Sequence, residues 1–176
     1  LGLFYSTFTQ LLGYKPDNDE WKVMALSALD TNNEGREVLE KLKTTYRLHD
    51  DGRLELDQSY YQGGLLDRPK LYSQKLVELL GSRIGAPGEV PDDWHIRVAA
   101  GLQAAAEEIA EHFLRHLYRL TKCRSLVLSG GFFMNSVFNG KVLDRTPFDK
   151  LYVPYAPTDA GNSIGAAMYT SHCLLG

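Results

Sequence analysis

SLVLSGGFFMNSVFNGKVL, Ser125 to Leu143, changes its period in the middle. SLVLS is short and rich in β-formers, so it reads as a buried strand. From Met134 to about Leu143 the apolar residues recur at helical spacing. Between them stand Gly130 and Gly131. Glycine weakens any regular element, so a pair at this junction implies a tight turn or a backbone that something else approaches closely.

Working outward, KLYVPYA (Lys150–Ala156) is a second strand. DAGNSIGAAMYTSHCLL (Asp159–Leu175) is a final helix of small residues. Strands joined through a helix are almost always parallel, with a right-handed crossover. We therefore expect Leu126–Ser129 and Leu151–Val153 to pair in parallel, with the helix from Met134 packed on the sheet. Their carboxyl ends, Ser129-Gly130-Gly131 and Pro157 to Gly161, then share one edge. Open α/β sheets bind ligands at that edge, where helix N-termini favour anions. Asn135 can offer an amide to a ribose or base, and Asp159 is the only carboxylate in its loop, a hard oxygen ligand for a metal. Plainer readings stand beside these: a simple Gly-Gly turn, Phe132 and Phe133 as core residues covering the helix rather than a base-stacking platform, and Asp159 as a helix cap.

Before this region runs the longest clean signal. Val98, Leu102, Ala105, Ile109, Phe113, Leu117 and Leu120 form one apolar stripe from Asp93 onward, with Asp92 or Asp93 as N-cap. On the same helix Glu108, His112 and His116 lie four residues apart and could share a metal. The order Glu-His-x-x-x-His misplaces the general base of a metalloprotease, and a packed histidine is the plainer reading of His116. His49, His95 and His172 stand isolated. Further upstream, Leu3, Phe4, Phe8, Leu11 and Leu12 predict a helix ended by Gly13. Asp17–Asp19 offer caps for EWKVMALSAL, and EGREVLEKLKTTY reads as a helix with a solvated face. YRLHDDGRLELD predicts a hairpin about Asp51-Gly52. QSYYQGG (Gln58–Gly64) receives no assignment, and Gly81–Pro91 reads as a surface loop.

The whole chain has 176 residues, 44% hydrophobic and 23% charged, which is the composition of one globular domain. Net charge is −3 with no block of like charge, which gives a nucleic-acid surface no support. Cys123 and Cys173 are too few for a disulfide framework and read as reduced thiols of a cytoplasmic protein. No apolar run reaches membrane-spanning length and no signal peptide is apparent. The chain opens in mid-helical pattern without Met, so we expect part of a longer protein.

LSGGFFMNSVFNGKVL with APTDAGNSIGAAMY resembles the carbamoyltransferase family of nodulation and antibiotic-tailoring enzymes. LGLFYSTFTQLLGYKPDNDEWKVMAL and HIRVAAGLQAAAEEIAEHFLRHL resemble the same family, and the likeness is weakest between about Thr31 and Leu71. The resemblance implies an α/β fold: a ribonuclease-H-like lobe of an actin-like ATPase, related to proteins that transfer threonylcarbamoyl to tRNA. Residues 1–176 would form a single domain, the second of two lobes. The first lobe, with its metal-binding histidines, and the C-terminal domain that makes carbamoyladenylate from carbamoyl phosphate and ATP would lie elsewhere in the protein.

On the family's pattern Gly130, Gly131 and Asn135 match the nucleotide-binding element, Asp159 a ligand of a divalent metal (iron), and Gly161 the glycine beside it. That metal would polarise the carbamoyl carbonyl as a Lewis acid. Lys22 matches a position without an assigned role. MALSAL replaces a more usual Met-Gly-Leu-Ala-Pro-Tyr, and GGFFMN is bulkier than Gly-Gly-Val-Ala-Leu-Asn. The implied activity is carbamoyl transfer to a hydroxyl-bearing small molecule or glycan, with no general base assignable here. Transfer to tRNA, and a non-catalytic nucleotide-binding or assembly module, are the rivals. The isolated segment should be inactive, with an uncovered apolar face that favours self-association.

Overall fold

Phe4, Phe8 and Leu11 place one face of α1 (Gly2–Leu11) in the core, but the burial goes further round the helix. Tyr5, Ser6, Thr7 and Thr9 are buried too. Thr7 and Thr9 satisfy their hydroxyls on the carbonyls of Leu3 (2.7 Å) and Tyr5 (3.2 Å), one turn back in the same helix. The helix ends as expected at Gly13, whose φ is +85°. In this computed structural model, residues 1–62 and 69–175 are described. They fall into two compact units, Leu1–Leu117 and Tyr118 onward.

In the first unit α2 (Glu20–Ser27) lies within its predicted span, while α3 (Gly35–Leu42) ends short of the predicted Tyr46, Lys43–Thr45 being a 3₁₀ turn. Asp19 stands at the N-cap of α2 without a side-chain cap bond; its carboxylate meets Lys22 at 3.0 Å instead. β1 (Tyr46–Leu48) and β2 (Leu54–Leu56) make the antiparallel hairpin about Asp51-Gly52, with Arg47 opposite Glu55. Gln58–Gln62 carries no helix or longer strand, and Gly63 and Gly64 lie outside the described residues. Ser73 caps α4 (Gln74–Leu79), a helix not read in the sequence, by accepting a hydrogen bond from Leu76 N. Gly81–Pro91 is a loop, as expected.

The long helix α5 (Asp93–Thr121) supplies the central core of this unit through Val98, Leu102, Ala105 and Ile109, all within 1% of full burial. Its apolar stripe does not stay buried to the end. Leu117 is 40% exposed and Leu120, beyond the unit boundary, is 69% exposed.

In the second unit β3 (Ser125–Val127) and β4 (Lys150–Tyr152) pair in parallel, Leu126 opposite Leu151. The predicted pairing is present, each strand starting one residue early. Leu128 N adds a further bond to Tyr152 O at 3.0 Å. At the other end Arg124 Nη2 holds Asp149 Oδ1 at 2.6 Å. Leu126 and Leu128 are buried, but Val127 is 67% exposed, so only one face of the strand is covered.

The single helix expected from Met134 to Leu143 is replaced by a 3₁₀ turn (Gly131–Met134), α6 (Ser136–Asn139) and α7 (Val142–Arg145). Side chains of the segment itself interrupt it. Asn135 caps α6, Asn139 Nδ2 bonds back to Phe133 O at 2.7 Å, and Gly140 ends the turn. Asn and Gly are poor helix residues, and local amide bonds compete with the ladder. α8 (Asn162–Tyr169) follows a 3₁₀ turn at Asp159–Gly161 and continues as a π turn to Leu174; it buries no residue. Among the described residues, no helix is long and apolar enough to cross a membrane.

Candidate functional site

The parallel pairing sends both strands toward one edge, and there the two loops are joined directly. Gly130 N donates to Pro157 O at 2.5 Å. Gly130 holds φ +113° and ψ 150°, a region that L-residues avoid. Gly131 differs: a Cβ added to it would meet nothing within 4 Å. The first glycine is required by its backbone, and the second leaves open space beside the turn.

Asn135 is buried, and its Oδ1 accepts from Phe138 N at 2.9 Å as the N-cap of α6. The side chain whose amide is expected to face a ligand thus also holds the outgoing end of the turn through its oxygen. Asp159 is exposed on its 3₁₀ turn, and the cap there is Thr158, which accepts from Ala160 N at 3.4 Å. Among the described residues no group of three metal-ligating side chains includes Asp159. Gly161 has a reason of its own: a Cβ there would lie 2.3 Å from Ala156 O. The loop therefore folds tightly over its own backbone, and Gly161 is needed for that whatever it binds. Gly130, Gly131, Asn135, Asp159 and Gly161 all belong to the second unit.

The alternative trio on α5 does not assemble. Glu108 pairs with Lys43 at 3.1 Å, and His116 packs its ring against the hairpin at Gly52. Among the described residues the ligand-type atoms that converge are those of Glu89, Asp92 and His95. His95, which looked isolated in the sequence, is 1% exposed, its Nδ1 2.8 Å from Asp92 Oδ1. The signal was the spacing: Asp92 is the N-cap of α5 and His95 its third residue, the geometry of a capping box. Asp92 Oδ1 accepts from Trp94 N (3.1 Å) and His95 N (3.3 Å). Arg83 lies between the carboxylates, 2.7 Å from Asp92 and 2.6 Å from Glu89, with its guanidinium 4.7 Å from the Trp94 ring centre. These bonds to Arg83 and then His95 hold the Asp92 carboxyl well below the usual carboxylate range. Glu89 is lowered too, first by the Ala86 N–H and then by Arg83. The guanidinium bridges Asp92 Oδ2 and Glu89 Oε1, supplying a positive charge to both carboxylates of this network. Lys22 rests near the rings of Trp21 and Tyr14, beside Asp19.

Comparison with known proteins decides the family. Residues 1–168 match the family described as Carbamoyltransferase N-terminus. The chain belongs to that family. It is 34% identical over 173 residues to "Nodulation protein NolO" of Bradyrhizobium diazoefficiens, covering 97% of this chain and 28% of that protein. It is 33% identical over 174 residues to "Nodulation protein NolNO" of Sinorhizobium fredii, covering 99% of this chain and 23% of that protein. An uncharacterized protein of Methanocaldococcus jannaschii is 30% identical over 169 residues, 96% of this chain and 25% of its own length. This carbamoyltransferase-family chain therefore spans about a quarter of the length of the curated relatives it matches.

Proposed function

We propose that the second unit carries the nucleotide-binding edge of a carbamoyltransferase, within a ribonuclease-H-like lobe of an actin-like ATPase fold. The reaction would pass a carbamoyl group from carbamoyl phosphate, through carbamoyladenylate made with ATP, to the hydroxyl of a small-molecule or glycan acceptor. One observation carries the reading: the Gly130 N to Pro157 O bond joins two strand-end loops beside the open space at Gly131. Open α/β sheets take their ligands at such an edge, and a backbone without side chains lets a phosphate or ribose reach the peptide groups.

Gly130 sets the path of the turn, and Gly131 admits the nucleotide. Asn135 acts through the helix cap, fixing where the turn leaves the sheet. Thr158 and Gly161 fold the second loop tightly, presenting Asp159 to solvent. A lone exposed carboxylate is too little to hold a transition metal, and no complete donor set gathers at it among the described residues. Attack by the acceptor hydroxyl on the carbamoyl carbon would release AMP, and among the described residues none is assigned as its general base.

Gly131→Val tests the reading. Nothing crowds that position, so the fold should survive, as circular dichroism would confirm. The branched side chain would fill the space left for the nucleotide, and ATP affinity of the full-length polypeptide should fall at least about tenfold, roughly the 1.4 kcal/mol of one decade. Unchanged affinity in a folded variant would overturn the assignment.

A further inference from the structure

The Gly-Gly turn continues into two aromatic residues that the core does not absorb. Phe132 and Phe133 are both half-buried. Their ring centres lie 5.4 Å apart with planes at 77°, an edge-to-face pair. Beneath them Phe138 is fully buried and touches both, at 5.7 Å and 6.3 Å. The backbone that carries them is also tied down. Phe133 N donates to Gly130 O at 2.9 Å, and Phe133 O accepts from Asn139 Nδ2 at 2.7 Å. The Phe133 ring reaches the glycines, its Cδ2 lying 4.0 Å from where a Gly130 Cβ would be. Met134, next along, is 63% exposed.

Two rings anchored from below and partly open to solvent therefore follow directly on the open position at Gly131, with the Phe133 ring near Gly130. A buried ring fills core volume; a partly exposed ring fixed in place at a bare backbone leaves apolar aromatic surface within reach of a ligand. We propose that Phe132 and Phe133 form the stacking wall for the base of the bound nucleotide and give the site its preference for purines. The inference rests on the nucleotide reading of the Gly130-Gly131 turn. Aromatic stacking accepts every base but strengthens with ring area, so the wall favours a purine over a pyrimidine without reading hydrogen-bonding edges. The phosphates contribute nothing to this contact, which makes the two recognitions separable.

The separation is measurable on the full-length polypeptide. ATP, CTP and inorganic tripolyphosphate are titrated in turn into isotope-labelled protein, following the Gly130 and Gly131 amides and the Phe132 and Phe133 ring protons by NMR. ATP should shift both sets and show transfer of saturation from the rings to the adenine protons. Tripolyphosphate should shift only the amides, and CTP should give weaker ring effects than ATP. Phe132→Leu and Phe133→Leu keep apolar volume but remove the π face. Each should weaken ATP severalfold, bring ATP and CTP closer together, and leave the tripolyphosphate response unchanged. If ATP shifts the glycine amides but leaves the rings untouched, the stacking wall is wrong and the nucleotide reading stands. Equal ring shifts from tripolyphosphate and ATP also overturn it. No response at the glycines to any of the three overturns both.

Discussion

Asp92 illustrates how much one side chain does at a helix start. Its carboxylate caps α5, touches the buried His95 ring and faces Arg83, while Glu89 holds the other side of the same guanidinium. Its folded pKa is depressed, so the contribution to stability is complete above the unfolded value and disappears as pH falls through the folded one. We expect the Gly81–Pro91 loop and the first turn of α5 to loosen below about pH 4, the ordinary aspartate value. Amide hydrogen exchange at Trp94 and His95 across an acid titration checks this. Asp92→Asn keeps an N-cap oxygen but removes the charge that holds Arg83, so it should reduce that pH dependence to the part Glu89 carries. The tie from Arg83 could not be read in advance, because nothing in a loop sequence tells which carboxylates an arginine nine residues away will reach.

Pairs of elements are governed here by very small residues. A Cβ on Gly35 of α3 would lie 2.5 Å from Ala100 Cβ, and one on Gly101 of α5 would lie 2.5 Å from Val38. The two helices cross with backbones nearly in contact, and Arg97–Glu34 (3.0 Å) and Lys43–Glu108 (3.1 Å) add exposed pairs near the crossing, each worth little by itself. Gly101→Leu should push the helices apart and cost about 1–3 kcal/mol, the usual range for overpacking. Thermal denaturation measures it, and an unchanged midpoint would mean the crossing tolerates several ångströms of separation. Elsewhere, elements depart from their sequence patterns for local reasons. The helix after the glycines breaks where Asn135, Asn139 and Gly140 bond to or release the backbone, which a count of apolar spacing does not register.

Taken as a whole, the chain leaves much apolar surface uncovered in its second unit. Val127 is 67% exposed, Tyr152 61%, Tyr155 83% and Tyr169 61%. Parallel strands normally carry cover on both faces, and β3 has it on one. We expect the isolated 176 residues to self-associate as concentration rises, which sedimentation would reveal as a growing average mass. We also expect ATP to bind no more tightly than about 1 mM, stoichiometric metal to be absent, and carbamoyl transfer to be undetectable. Submillimolar ATP affinity by calorimetry, with one bound iron or zinc per chain by elemental analysis, would mean that the site is complete in this segment.

The opening stretch and its partner strand settled a good deal in advance. The parallel pair, the shared edge of the two glycine loops, the Asp-Gly hairpin and the long helix all follow from periodicity and turn chemistry. Those are properties of neighbours along the chain, where steric and hydrogen-bonding rules act at short range. The family resemblance, too, lay in contiguous motifs. Packing decided the rest. That Gly130 is fixed by its dihedrals while Gly131 is open, that Asn135 spends its oxygen on a cap, and that Gly161 is glycine because Ala156 O lies against it required the folded backbone. The same holds for His95, an isolated letter that becomes the buried centre of a capping network. Which residue faces which, across a loop or a helix crossing, depends on closures whose energy is shared over many contacts. No single stretch of sequence carries that information.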